Sequence, residues 1–165
     1  MTTQEVKVFL EQFQTLIMAS LIPEGAAYAS TAPFVRLDND FFILISTVAQ
    51  HGRNLLVTNN ASLLFTEDES KTLQPFARKR VSIEAAVKEV LREENEFETI
   101  IQLFKEKFDT DLVGSLSGMG DFHLFKLSIM SGSVVMGFGQ AYRLDSNCEV
   151  MTQIAGQHRH QTKGI

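Results

Sequence analysis

The sequence predicts a mainly β (α+β) domain, an antiparallel sheet of six or seven strands closing into a small barrel with a few helices on its flanks. Three observations predict it. Stretches rich in aromatic and β-branched residues alternate apolar and polar positions, as half-buried strands do. Turn residues separate these stretches at short intervals, as hairpins require. Too few helical stretches lie between the strands to supply the crossovers of a doubly wound parallel sheet.

At 165 residues the chain builds one domain with a sizeable core and is short for two. With 44% hydrophobic and 21% charged residues it has the profile of a folded protein rather than a disordered one. No run approaches the ~18–20 apolar residues of a membrane span, and the first residues lack the basic-then-apolar pattern of a secretory leader. Its one cysteine, Cys148, forms no internal disulfide, which fits a reducing compartment such as the cytoplasm. Fifteen basic against 20 acidic residues give a net charge of −5, which argues against a nucleic-acid partner but leaves room for a local anion site.

Thr2-x-x-Glu5 is a capping box. Val6, Phe9, Leu10, Phe13 and Ile17 then recur at helical spacing and predict an amphipathic helix of about three turns. Residues 16–22 are continuously apolar, which suits a helix end or a buried strand, and Pro23-Glu24-Gly25 stops either. Residues 26–37 read as a strand, Asp38-Asn39-Asp40 as its turn, and residues 41–48 as a second strand, apolar on both faces and therefore central. A short helix follows at 49–57, a third strand at 62–67, and a long fourth at 80–91 with Val81, Ile83, Ala85 and Val87 on one face. Residues 93–108 carry Phe97, Ile100, Ile101, Phe104 and Phe108 on one helical stripe. Two strands at 122–129 and 133–144 are joined by a turn at Met130-Ser131-Gly132. Residues 1–144 therefore form the predicted barrel domain, and 145–165, poor in apolar side chains, a flexible tail.

Arg78-Lys79-Arg80 is the densest positive charge. Strand alternation sends Arg78 and Arg80 to one face, where paired guanidiniums suit a carboxylate or phosphate, and Lys79 to the other. Charge alone fits a solvated strand end beside Glu67, Asp68 and Glu69 better. Gly137-Phe138-Gly139-Gln140-Ala141-Tyr142 places two glycines inside a predicted strand, which marks either close approach by a flat ligand or second chain, or a barrel corner. Of the four histidines, His123 on a strand reads as structural, and His51 at the start of the short helix serves a ligand or the surface. His158 and His160 form His-x-His in the tail, where the residues alone favour an unstructured basic terminus over a metal ligand.

Taken together, these segments resemble one family. Ala32-Pro33-Phe34-Val35, His51-x-Arg53-Asn54-Leu55, Phe76-Ala77-Arg78-Lys79-Arg80, Asp121-Phe122-x-Leu124-Phe125-Lys126-Leu127 and Gly137-Phe138-Gly139-Gln140-Ala141-Tyr142 are similar, in that order, to the haem-utilisation family HugZ. The resemblance implies a split β-barrel of the pyridoxamine phosphate oxidase type, FMN-binding-like, that works as a homodimer with haem in the groove between subunits. It implies haem degradation with oxygen and an external electron donor. His158 matches the histidine that ligates the haem iron, with His160 an alternative two residues on, because Gln157 stands where glycine is usual. Asp121 matches an acid that hydrogen-bonds this histidine from the partner subunit. Arg80 matches an arginine bordering the haem, with Arg78, Lys79 and His51 as further pocket or propionate contacts. An FMN-binding oxidoreductase and a haem carrier without turnover are the alternatives.

Overall fold

A computed structural model of the chain describes residues 1–154. The capping box forms at the start of α1 (Thr3–Leu10): Thr2 Oγ1 accepts from the Glu5 amide at 3.2 Å, and Glu5 Oε2 accepts from the Thr2 amide at 2.7 Å. The helix stops at Leu10, short of the three turns its apolar spacing predicts. Residues Thr15–Leu21 form β1 instead, where buried Leu16, Met18 and Ser20 alternate with exposed Ile17 and Leu21. A period of two, not of three and four, governs this apolar run.

The strands β2 (Ala27–Leu37) and β3 (Asp40–Ser46) follow as a hairpin, and Asp38 takes the left-handed conformation its turn needs, φ 54°. Then come α2 (Gln50–Val57), β4 (Asn60–Thr66), single 3-10 turns at Glu69–Lys71 and Pro75–Ala77, and the long β5 (Arg80–Val90). Helices α3 (Asn95–Lys107) and α4 (Thr110–Gly118) lead to β6 (Phe122–Val135), β7 (Ala141–Leu144) and β8 (Val150–Gln153). The strands pair antiparallel in the order β3-β2-β1-β4-β5-β6, and β3 pairs with β6 to close a six-stranded barrel; β7 and β8 extend the sheet beyond β6.

Three expectations change. Met130-Ser131-Gly132 is not a turn, because β6 runs through it as one strand of 14 residues with a bulge opposite Glu84/Ala85. Gly132 is there for close approach: a Cβ would meet Ser82 O at 2.7 Å. The turn lies further on, so Gly137 and Gly139 are not strand residues; they make the β6–β7 connection, where Gly139 sits at φ 68°. The sheet also continues past Leu144. Cys148 is fully buried beneath the β7–β8 turn, and β8 lies within the segment assigned to the tail. α4 was not anticipated, although Asp109 is its N-cap, with Oδ1 accepting from the Leu112 amide at 2.7 Å.

Two cores share β3. Phe41, Ile43 and Ile45 point into the barrel, where Phe34, Phe41 and Phe65 pack with ring centroids 5.2–5.6 Å apart. Phe42 and Leu44 point outward beneath Phe97, Ile100, Ile101 and Phe104 of α3. This double burial is why residues 41–48 read as apolar on both faces. The outer face of β1, β4 and β5 carries Ile17, Ala19, Leu21, Leu64 and Ala86 partly or fully exposed, with no helix over them among the described residues. Among the described residues no helix is long and apolar enough to cross a membrane.

Candidate functional site

The expected pairing of Arg78 with Arg80 on one strand face does not form, because β5 begins only at Arg80 and Arg78 closes the 3-10 turn before it. Arg78 is drawn inward to the preceding loop, its Nε and Nη2 donating to Glu67 O at 2.8 and 2.6 Å. It thereby closes the loop of 3-10 turns onto the start of β5, the structural reading of its charge. Arg80 enters β5 opposite Thr66 and Val135, on the outer side of the strand whose neighbour Val81 faces the core. One guanidinium nitrogen, Nη1, donates to Arg78 O at 2.9 Å, so the group is oriented yet still has donors for an anion. Lys79 goes the other way and lines the hollows beside α1 and the β6–β7 turn, which neither arginine lines. It does not join Arg80 on one surface.

The glycine turn stands at this same end of the molecule. Gln153 Nε2 donates to Gly139 O at 2.6 Å and the Ile154 amide to Ala141 O at 2.7 Å, so the chain leaves β8 here. His158 and His160 lie beyond Ile154, outside the described residues.

Asp121 and His51 occupy the opposite end, where β3 gives way to α2. Asp121 Oδ2 accepts from Ser46 Oγ at 2.5 Å, and its carbonyl accepts from the Thr47 amide at 2.8 Å. Its second carboxylate oxygen takes no hydrogen bond among the described residues and can accept a proton donor from outside. Gly52 packs on Ser46 O so closely that no Cβ fits, which seats the first turn of α2 against β3. His51, in that turn, is half-buried, and burial lowers its pKa from the usual imidazole value, so it is neutral near pH 7. His123 is tied to Glu89, with Nδ1 and Oε1 2.6 Å apart, in keeping with its structural reading.

The candidate residues therefore form two groups: Asp121 and His51 at one end of the β5–β6 ribbon, and Arg78, Arg80, Gly137 and Gly139 at the other, where Ile154, the last described residue, also lies. Sequence reasoning missed a third feature, the hollows around Lys79 lined by Lys71, Leu73, Met136 and Phe138. Their only sequence signal was a set of large apolar residues in segments otherwise made of turn residues.

Comparison with known proteins agrees with this architecture. The family model described as pyridoxamine 5'-phosphate oxidase matches residues 2–136. The haem oxygenase HutZ of Vibrio cholerae is 37% identical over 143 residues, 87% of this chain and 81% of HutZ. A crystal structure of HutZ, there described as a haem storage protein, superposes with a TM-score of 0.70 over 75% of this chain and 87% of its own at 36% identity. ChuZ of Campylobacter jejuni superposes with a TM-score of 0.80 at 34% identity, over 92% of this chain and 61% of ChuZ. The chain belongs to the pyridoxamine 5'-phosphate oxidase-like split-barrel family, in its HugZ-type haem-utilisation branch.

Proposed function

We propose that this chain binds haem as a substrate in a groove between two copies of itself, holds the iron through a histidine of the segment 155–165, and opens the porphyrin with oxygen and an external electron donor in the cytoplasm. The names of its relatives support haem; the geometry of β5–β6 supports the two-copy groove. From Asp121 to Val135 the strand covers roughly 45 Å at ~3.3 Å per residue, less its bend at the bulge. From Ile154 the chain reaches at most about 14 Å to His158 and about 21 Å to His160. A tail histidine starting at the Arg80 end thus cannot meet Asp121 of its own chain. A second copy, packed antiparallel on the uncovered face of β1, β4 and β5, brings its Asp121 to that end and satisfies both sites at once.

The donor set fits haem. Among the described residues no three His, Cys, Asp or Glu side chains converge to hold a bare metal ion, whereas a porphyrin supplies four nitrogens and asks the protein for one imidazole. His158 is the assigned ligand, with His160 next. The free oxygen of Asp121 accepts the other ring N–H of that histidine, which fixes its tautomer and raises its basicity. Arg80 would hold a propionate carboxylate of a bound haem through its free guanidinium donors. Arg78, held by Glu67, positions Arg80 rather than touching the ligand. When bound, haem supplies the oxygen chemistry; the residues bind, orient and exclude water.

Hemin titration followed by ascorbate under air tests the reading. Wild type is expected to show a saturable Soret band at one haem per chain and to lose it on reduction. A His158→Ala/His160→Ala variant should bind about 10–100-fold more weakly. Unchanged binding in that variant, or a monomer that binds haem in sedimentation, overturns the groove. A complex stable to reductant makes the protein a carrier, and yellow protein that refuses hemin makes it a flavin enzyme.

A further inference from the structure

We infer that the β7–β8 hairpin is a fastening device for the haem ligand: by fixing Ile154 it sets how far the histidine of segment 155–165 can range, and so how tightly it holds iron. Thr3 and Gln153 are its positioning residues. The role of the hairpin rests on the tail-ligand reading; its fastening does not. β8 itself contributes little to packing. Met151, Thr152 and Gln153 are exposed, and only two residues of the strand are in register with β7, Val150 opposite Leu144 and Gln153 opposite Tyr142, with an irregularity between them. A four-residue edge strand with so short a ladder is not held by its own pairing.

Fastenings outside the ladder hold it instead. Cys148, in the turn before β8, is fully buried in the barrel core and keeps that place at φ 60°, a conformation side chains other than glycine rarely take. Asp145 closes the turn, its Oδ1 accepting from the Asn147 and Glu149 amides at 2.9 Å each. The Val150 amide donates to Oγ1 of Thr3, the first residue of α1, at 3.1 Å. At the far end Gln153 Nε2 donates to Gly139 O at 2.6 Å and the Ile154 amide to Ala141 O at 2.7 Å. Bonds placed on a segment that packs so little have one result, a fixed point at which the chain leaves the fold.

The distance from that point decides the local concentration of the ligand. His158 is four residues beyond Ile154 and reaches at most about 14 Å. With β8 released as far back as Cys148 it would stand ten residues from the last held position and range to about 36 Å. The effective concentration of a tethered group falls roughly as the −3/2 power of tether length, which makes the loss about fourfold for His158 and about threefold for His160.

Variants of the full chain lengthen the tether by two routes. Thr3→Val/Gln153→Leu removes both side-chain bonds and leaves the tail sequence intact. Insertion of Gly and Ser residues after Ile154 leaves the fastenings intact and lengthens the tail alone, six residues matching the released hairpin and 12 exceeding it. Hydrogen exchange at the Ile154 amide reports the hairpin without haem. The concentration of free imidazole that half-displaces the tail histidine from bound hemin, followed in the Soret band, reports the tether. Thr3→Val/Gln153→Leu should speed exchange at Ile154 while amides pairing β4 with β5 exchange as in wild type. That variant and the six-residue insertion should each lower the imidazole midpoint about three- to fourfold, and the 12-residue insertion about five- to eightfold. Wild-type protection of Ile154 in Thr3→Val/Gln153→Leu overturns the fastening. An imidazole midpoint that ignores tether length in the insertions overturns the hairpin's role while the tail ligand stands. A hemin spectrum unaltered by His158→Ala/His160→Ala removes the tail ligand and that role with it, and the exchange at Ile154 then judges the fastening by itself.

Discussion

The two ends of the β5–β6 ribbon are built on opposite principles. At the Asp121 end every neighbour is tied down: Ser46 and Thr47 hold Asp121, Gly52 wedges α2 against β3, and the Arg92 guanidinium donates to the carbonyls of Ser117, Met119 and Phe122. At the Arg80 end, Leu73, Phe76 and Phe138 stand exposed on turns, and Lys71 and Lys79 are unpaired among the described residues. One end spends its polar groups on itself and the other leaves them to a ligand. The contrast separates a tightly bonded end from an open one, and it can be broken by substitution.

The largest expected effect contrasts two phenylalanines. Phe65 is buried in the barrel against Phe13, Phe34 and Phe41, so Phe65→Ala should cost about 3–5 kcal/mol of unfolding free energy. Phe138→Ala should change stability by less than about 0.5 kcal/mol, since it leaves no cavity. Urea denaturation of both variants measures the difference, and comparable losses would show that the open end is part of the core.

Next in size is Asp121→Asn. The amide keeps the shape and still accepts from Ser46, but it cannot support an imidazolium-like ligand as a carboxylate does. Hemin affinity should fall about 10–100-fold while the urea midpoint moves little. A mixed population of Asp121→Asn with Arg80→Ala protomers should recover part of the binding, because heterodimers then contain one intact groove. No recovery would place both residues in grooves of single chains.

How much of this was legible in the sequence depends on which interaction sets each element. Strands 26–37, 41–48 and 80–91 were readable because their burial follows a period of two or covers both faces. The helix at 93–108 was readable from its stripe of Phe and Ile. The segment after Leu10 was not, since Phe13 and Ile17 fit helical spacing by accident and pairing with β2 and β4 decides the outcome. Gly132 and Gly139 carry the same letter for opposite reasons, close approach within a strand and a left-handed turn, and only the neighbouring backbone tells them apart. The site split likewise. Its residues were named by resemblance; alternation placed Arg78 beside Arg80, whereas Arg78 lies before the strand and turns to Glu67 O, and no spacing in the chain reveals that Asp121 and Arg80 lie a ribbon's length apart.

A smaller effect tests how α3 is fastened to the barrel. Lys107 Nζ donates to Phe34 O at 2.8 Å and Phe13 O at 3.2 Å and stands 4.1 Å above the Phe34 ring, pinning the end of α3 to two other elements. Burial lowers its pKa, which shows that the charge also pays a desolvation cost. The two effects oppose each other, so Lys107→Met should destabilise by only about 1 kcal/mol. A change above about 3 kcal/mol would mean that the pin, not the Phe cluster, holds α3.

The smallest effect concerns His51, and its sign is fixed by its environment. Burial holds the folded-state pKa below the unfolded value of about 6.5, so the native state prefers the neutral ring. Above that value both states are neutral and His51 adds nothing to the pH dependence. As pH falls through it the unfolded chain takes the proton first, and stability is lost down to the folded-state pKa. Wild type should therefore lose more thermal stability than His51→Gln between about pH 7 and pH 5, the carboxylates common to both cancelling. Hydrogen exchange locates the loss: the Thr58 amide, bonded to Asn54 O at the end of α2, should exchange faster in mild acid while amides pairing β4 with β5 do not. Equal acceleration at both places would mean that protonation unfolds the barrel as a whole, and that the closed end is no more than the edge of a single cooperative unit.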